Sequence, residues 1–292
     1  MPAGTSLYLG VDIGGTKIGV CIGDAQANIL ERSRLTTAQF PSPEQAIEEV
    51  VGVARQFSSF EHVVQVGVSC AGPLDAGRGL VLSPPNLPGW NQVAVCRILE
   101  ERLGKPVRLE NDANAAALAE WQVGAGRGTR DMVFLTCSTG LGGGIIANGR
   151  LLRGHCGLAG EVGHLRLTDD GPKAYDKAGS LEGWASGSGL SQQAGRPSDE
   201  VGRAALAGDP QAVALVNRAG EMLGRGLAIL CDVLDPEVIV CGTLALRLGD
   251  LYLEPARRVL AREALRPCRV VPAALGDDLP EKAALAVALM LE

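Results

Sequence analysis

The sequence predicts a mixed α/β protein made of two similar halves apposed around a central cleft. Three observations point there. Short apolar, β-branched segments of strand length alternate with segments of helical spacing. A unit of strand, glycine turn and strand occurs twice, at Leu7 to Gly23 and at Asp131 to Ala147. No Pro/Ser-rich linker divides the chain, so the halves are expected to face each other and not to be separate modules.

The totals narrow the function. At 292 residues the chain holds two domains of ordinary size or one large one. With 46% hydrophobic and 21% charged residues it reads as a soluble globular protein. A net charge of −6 and only 3% aromatic content argue against nucleic acid as a partner. The 39 glycines cluster in short turns without a repeat. No secretory leader is evident, and no apolar run approaches the ~18 residues that span a bilayer. Eight cysteines (21, 70, 96, 137, 156, 231, 241, 268) sit in apolar surroundings with no CxxC pair. They read as small buried hydrophobes in a reducing compartment, and a cytoplasmic protein without a membrane partner is expected.

In chain order, Ser6 to Ile13, Lys17 to Gly23 and a segment near Ile29 to Thr36 read as an antiparallel meander. Pro43 to Phe57 has helical spacing, with proline at its start and acidic residues in its first turns. Val63 to Ser69 is a buried strand, and Asn86 to Trp90 a turn-rich loop. Val93 to Leu103 is an amphipathic helix, followed by a strand from Pro106 to Leu109 and an alanine-rich helix through Trp121. Asp131 to Thr136 and Gly144 to Ala147 are strands around the second glycine turn. Residues 165–200 read as polar loop. Pro210 to Leu234 is a long helix, Val238 to Gly242 a buried strand and Glu281 to Leu291 a closing helix.

Three stretches carry chemistry. In Leu109-Glu110-Asn111-Asp112-Ala113-Asn114, Asp112 stands where strand turns into helix, and helix N-termini favour anions. It is either a helix cap or a base. Asp12-Ile13-Gly14-Gly15-Thr16-Lys17 joins two strands. Its glycines admit a phosphate close to backbone N–H groups, Thr16 adds a hydroxyl, and Asp12 can hold the water shell of a phosphate-bound Mg²⁺. The pattern is not GxxxxGK[ST] and no helix follows directly, so it is not a P-loop. The plain alternative is a tight hairpin turn. Ser138-Thr139-Gly140-Leu141-Gly142-Gly143-Gly144 repeats the logic. Glycines inside a strand pair weaken the sheet by roughly 0.5–1 kcal/mol each, a cost that makes sense where a ligand approaches the backbone.

These stretches together resemble the ROK family of sugar kinases and related repressors, within the sugar kinase–actin–heat-shock-ATPase fold, whose domains are ribonuclease H-like. The resemblance covers nearly the whole chain. It rests on Asp12 to Lys17, Gly72 to Asp75, Asn86 to Trp90, Glu110 to Asn114, Ser138 to Gly144 and Gly160 to His164, in family order. It implies two actin-like domains, residues 1–117 with 279–292 and residues 118–278. It further implies that Asp112 takes the proton from a sugar hydroxyl attacking the γ-phosphate of ATP. Gly72, Asn86, Asn111, Glu161, His164 and Glu182 are implied on the sugar. Asp12, Gly14, Gly15, Thr16, Lys17, Thr139, Gly140, Gly142, Gly143 and Gly242 are implied on the nucleotide, with Mg²⁺ as cofactor. A homodimer is implied as well.

The sequence departs from the family at its metal loop. Family members commonly carry CxCGxxGC before a Leu-Glu pair, and with the Gly-Glu-Val-Gly-His histidine this loop binds structural zinc. Here the three cysteine positions read Lys173, Tyr175 and Ser180. Without thiolates a four-ligand site cannot form, so no zinc is expected although His164 is present. The loop is then ordered by packing through Tyr175 and Trp184, or mobile. Gly242 is followed by Thr243-Leu244 in place of a second glycine, and Leu279-Pro280-Glu281-Lys282 stands where the family tends to have small residues. Glucose is the first acceptor to expect, with N-acetylmannosamine next. A repressor needs a DNA-binding domain before the first strand, for which the residues ahead of Leu7 leave no room. An inactive sugar-binding protein is the third reading.

Overall fold

The computed structural model describes residues 6–290, which form two compact units. Unit 1 runs to Val123 and resumes at Leu275, and unit 2 is Gly124–Ala274.

Unit 1 begins with β1 (Leu7–Ile13), β2 (Lys17–Gly23) and β3 (Ile29–Thr36), an antiparallel meander. Then come α1 (Pro43–Gln56), β4 (Val63–Cys70), the small hairpin β5 (Leu74–Asp75) and β6 (Leu80–Val81), α2 (Val95–Leu103), β7 (Val107–Asn111) and α3 (Asp112–Val123). β4 lies parallel to β1 and β7 parallel to β4, giving the order β3-β2-β1-β4-β7. β1 is covered on both faces, which is why it reads as a nearly continuous apolar run. The helix at α1 starts where Ser42 accepts the Gln45 N–H at 3.4 Å and Pro43 presets the first turn. The C-terminal helix, Leu279–Ala288, packs on β1, β4 and α3. It fits because Gly67 of β4 has no Cβ, which would collide with the Ala284 carbonyl.

Unit 2 repeats this plan. β8 (Met132–Leu135), β9 (Gly143–Ala147) and β10 (Arg150–Leu151) are antiparallel. The chain continues through β11 (Lys173–Ala174), β12 (Lys177–Ala178), α4 (Leu181–Ala185), α5 (Gly187–Ala194), α6 (Ser198–Leu206), α7 (Pro210–Leu234), β13 (Val238–Cys241), α8 (Leu244–Leu248), α9 (Asp250–Glu263) and β14 (Arg269–Pro272). β13 is parallel to β8 and β14 to β13, so the order is β10-β9-β8-β13-β14. α7 and α9 approach closely at Gly224, where a Cβ would lie 2.5 Å from the Ala256 carbonyl oxygen.

Several expectations need correction. The polar stretch 165–200 is not all loop, since α4, α5 and the start of α6 fall within it. The glycines that hid these helices serve packing: a Cβ on Gly189 would collide with the Gly183 carbonyl. The strand expected to stop at Leu109 runs to Asn111, and α2 starts two residues late because Val93 bridges to Val81. The cysteines are all free thiols but not all buried. Cys156 is exposed, and Cys231 and Cys268 place their Sγ atoms 3.3 Å apart. No helix among the described residues is long and apolar enough to cross a membrane.

Candidate active site

The unit 1 residues singled out above collect at one edge of its sheet. In the register, Asp12 pairs with Ser69 and Ser69 with Glu110, while Ile13 pairs with Cys70 and Cys70 with Asn111. β1, β4 and β7 are parallel, so their carboxyl ends deliver Gly14-Gly15, Gly72 and Asp112 to the same edge. Ligands of open α/β sheets bind beyond the carboxyl ends of such strands. Ser69 Oγ donates to Asp12 Oδ1 at 2.9 Å. Burial nevertheless pushes the Asp12 carboxyl up to about 7, against the Ser69 bond and with help from the charges of Asp112 and Glu281.

The strand-to-helix turn explains the Glu110-Asn111-Asp112-Ala113-Asn114 pattern. Glu110, 2% exposed, accepts the Asn111 N–H and the Asn114 side-chain amide, both at 3.0 Å. Asn111 Oδ1 accepts the Ala113 N–H at 3.0 Å and the Asn114 N–H at 3.4 Å, so Asn111 is the residue that caps α3 from outside. Asp112 is the first helical residue, and its Oδ1 accepts the Ala113 N–H at 2.8 Å. Asp112 thus stands one residue inside the helix, with Asn111 in the capping position that the sequence offered to Asp112. It is exposed at the N-terminal end of α3. Gly72 faces Asn111, where a Cβ would sit 3.2 Å from Nδ2.

At the β1–β2 turn, the Gly14 N–H closes onto Lys17 O at 3.0 Å and Thr37 Oγ1 donates to Gly14 O at 2.8 Å. The space a Cβ would need on Gly15 is filled by the Asn86 carbonyl, 2.5 Å away. Asn86, Leu87 and Trp90 also wall a cavity of about 480 Å³ that reaches Gly15 and Phe40. Thr16 and Lys17 are exposed.

The glycine turn of unit 2 is held differently. Leu141 N–H donates to Glu182 Oε2 at 2.8 Å and Gly142 N–H to Thr136 Oγ1 at 3.0 Å. A Cβ on Gly140 would lie 2.7 Å from Glu182 Oε2, one on Gly143 3.1 Å from Gly160 O, and one on Gly242 2.7 Å from Thr136 O. Gly242 thus has no room for a Cβ against backbone, Gly143 is tight, and at Gly140 the neighbour is the end of the Glu182 side chain. Thr139 is exposed at the tip.

His164 and Glu182 meet at Tyr175, the residue in one of the lost cysteine positions that the sequence offered as a packing group for the loop, and the Glu161 charge is felt there too. Tyr175 donates its hydroxyl to Glu182 Oε2 at 2.7 Å and stacks on the His164 ring, with centroids 3.6 Å apart and planes at 19°. Burial, then the Glu182 bond, then the charges of Glu182 and Glu161 raise the Tyr175 phenol well above its ordinary value. Lys173 lies in β11, and Ser180 Oγ accepts the Gly183 N–H at 3.1 Å to cap α4. The loop is ordered: Trp184 Nε1 donates to Thr168 Oγ1 at 2.8 Å, and the Trp184 ring fills the space beside Gly171. No group of three or more His, Cys, Asp or Glu suited to a metal ion occurs among the described residues.

The model of the ROK family matches residues 8–290. The chain belongs to the ROK family. Among its relatives, a glucokinase from Streptomyces coelicolor is 36% identical over 281 residues, covering 88% of this chain and 87% of that protein. An N-acetylmannosamine kinase from Escherichia fergusonii is 34% identical over 277 residues, covering 93% and 91%. A ROK hexokinase structure from Thermus thermophilus is 37% identical with a TM-score of 0.88, covering 97% of this chain and 98% of that one. A ROK glucokinase from Streptomyces griseus, solved with glucose and AMPPNP, is 34% identical with a TM-score of 0.78, covering 97% and 99%. The duplicated sheet order is thus the fold of ROK sugar kinases.

Proposed function

We propose that this ROK protein is an ATP-dependent kinase that phosphorylates a hexose, with glucose the first candidate and glucose 6-phosphate the product. Asp112 acts as general base, taking the proton of the attacking hydroxyl as it meets the γ-phosphate in line. The observation that carries this reading is the edge of the unit 1 sheet, where an exposed carboxylate at the head of α3 shares its surroundings with Asp12. Asn111, Glu161, His164 and Glu182, with Gly72 and Asn86, supply the donors and acceptors that a ring of sugar hydroxyls needs.

Among the described residues, the protein makes no hydrogen bond from the N–H groups of Gly15, Thr16, Thr139 and Gly140. These are the donors assigned to ATP oxygens, with Gly14, Lys17, Gly142, Gly143 and Gly242 shaping the two turns. Asp12 suits Mg²⁺, because a half-buried carboxylate whose charged form is disfavoured by its surroundings regains its charge beside a cation, and Mg²⁺ bound through one carboxylate and phosphates is common. Mg²⁺ when bound offsets charge on the phosphate oxygens.

The S. griseus glucokinase with glucose and AMPPNP supports both substrates. The second reading is an N-acetylmannosamine kinase, favoured by the E. fergusonii relative, whose match covers the larger share of this chain. ADP release measured with glucose, mannose and N-acetylmannosamine separates the two. Glucose should give the largest kcat/KM; a preference for the N-acetylated sugar selects the second reading, and no ADP release with any of them removes both.

A further inference from the structure

Glu182 has two oxygens, and the fold occupies one. Oε2 accepts the Leu141 N–H and the Tyr175 hydroxyl, and it fills the space beside Gly140. Oε1 accepts no hydrogen bond among the described residues. A carboxylate bonded on one oxygen only, in fixed orientation, presents the other to a ligand from a single direction.

Tyr175 is itself held in place. It is the first residue of a two-residue turn between β11 and β12, with φ of 55° at Tyr175 and 57° at Asp176. Asparagine and glycine are the usual occupants of such a turn, so a tyrosine there gives up its preferred backbone region. The hairpin is anchored by Lys173 N–H on Gln192 Oε1 at 2.7 Å, by Lys177 Nζ on the His164 carbonyl, and by Gly179 packed against Thr168. Yet Tyr175 is 45% exposed, too open to serve as a core anchor. Its contacts are with the two side chains assigned to the sugar.

We propose that Tyr175 is a positioning residue for the sugar: its hydroxyl pins Glu182 Oε2, and its ring fixes the plane of the His164 imidazole. This rests on the reading of Glu182 and His164 as sugar-binding. The raised phenol keeps its proton throughout the neutral range, so Tyr175 remains the donor and Glu182 the acceptor. A pinned carboxylate discriminates hydroxyl positions better than a mobile one, because an epimer then leaves a buried polar group unpaired.

The test compares wild type, Tyr175→Phe and Tyr175→Ala in ADP release over glucose, mannose and galactose, with calorimetric binding of each sugar and a melting curve for each protein. Tyr175→Phe keeps the stack and loses the bond, so KM for glucose should rise about tenfold, the loss of one charge-assisted hydrogen bond. KM for ATP should stay within about twofold, and the ratio of kcat/KM between epimers should shrink by a similar factor. Tyr175→Ala should raise the sugar KM further. An active wild type whose Tyr175→Phe form keeps both its sugar KM and its epimer ratio overturns the role of Tyr175 and leaves the kinase reading intact. A wild type that neither binds nor phosphorylates any hexose overturns the kinase reading, and this inference with it. Equal losses toward sugar and ATP, with a lowered melting temperature, assign Tyr175 to structure alone and also overturn it.

Discussion

Units 1 and 2 share one sheet order but are held together by different chemistry. Among the described residues, the three fully buried carboxylates, Glu110, Glu120 and Glu281, all belong to unit 1. Each has its donors: Glu110 takes two at the β7–α3 turn, Glu120 takes the Leu275 N–H at 3.0 Å where the chain re-enters the unit, and Glu281 takes Arg34. In unit 2 the buried polar side chains are neutral, Thr129, Ser180 and Ser186, and the two serines cap short helices. Its tight spots are made by glycine, against backbone at Gly189 and Gly224 and against side chains at Gly171 and Gly226, a device unit 1 also uses at Gly67. A buried carboxylate is stable only while its donors remain, whereas a glycine contact is insensitive to charge. Charge substitutions should therefore act chiefly through unit 1, whereas a change of shape at a close glycine should act in either unit.

The largest effect tests this at the proposed chemistry. Asp112→Asn keeps the side-chain oxygen that accepts the Ala113 N–H and removes the basic carboxylate. Loss of a general base lowers kcat by about 10²–10⁴-fold. The melting temperature should hardly move, since Asp112 is exposed. Wild type that transfers phosphate no faster than Asp112→Asn would remove Asp112 from the chemistry, and transfer by neither would leave a sugar-binding protein.

A second break targets the charge pairing. Arg34 grips Glu281 through Nε at 2.5 Å and through a second nitrogen at 3.1 Å, and the Glu281 side chain is only 2% exposed. Arg34→Ala leaves that carboxylate buried and unpaired, which costs about 3 kcal/mol in chemical denaturation. Adding Glu281→Gln should recover much of the loss. A cost below ~1 kcal/mol would show that solvent reaches the pair and that it behaves as a surface ion pair.

Asp12 gives the comparison a pH axis. Its folded-state value of about 7 lies above the ordinary 3.8. Between those values the native state holds a proton that the unfolded chain has released, so stability falls as pH rises toward 7 and levels off above it. In metal-free buffer, Asp12→Asn removes this slope and should exceed wild type at pH 8 by on the order of 2 kcal/mol, an amount set below the full shift because the side chain is only half-buried. Parallel denaturation curves from pH 5 to 8 would mean that Asp12 titrates like an ordinary carboxylate.

Much of this was readable in advance, for identifiable reasons. β2 and α7 begin and end where the pattern places them, because a glycine turn and Asp209-Pro210 mark their boundaries sharply. α4 and α5 were not readable, since Gly183, Gly187 and Gly189 look like loop until their close contacts are known. α9 carries Pro255 in its interior, which argues against a helix there, and β14 buries only Val270 fully, so it lacks the apolar run that marks β13. At the candidate site, Asn111 and Asp112 stood out as polar residues at a strand end and Asp12 as the carboxylate just ahead of a glycine turn. The buried role of Glu110 had a signal in its four-residue spacing to Asn114, but the same spacing is common on exposed helices. Tyr175 was legible as a packing residue of its loop but not by its partners, which lie 7 and 11 residues away across a hairpin whose turn residues are not the usual ones.

The smallest effect sharpens the contrast in how glycine is used. Most glycines with close neighbours, such as Gly67 against Ala284 or Gly140 against Glu182, cannot take a Cβ without something moving. Gly52, in the middle of α1, is different: a Cβ there meets nothing within 4 Å. Its φ lies outside the left-handed region, so alanine adopts the same backbone without strain. A glycine in a helix interior forfeits roughly 0.5–1 kcal/mol relative to alanine, chiefly through the freedom it restores to the unfolded chain. Gly52→Ala should therefore stabilise the protein by that amount while leaving kinase kinetics untouched. A destabilised Gly52→Ala would mean that this face of α1 is in contact with something and that Gly52, like Gly67, is required by its neighbours.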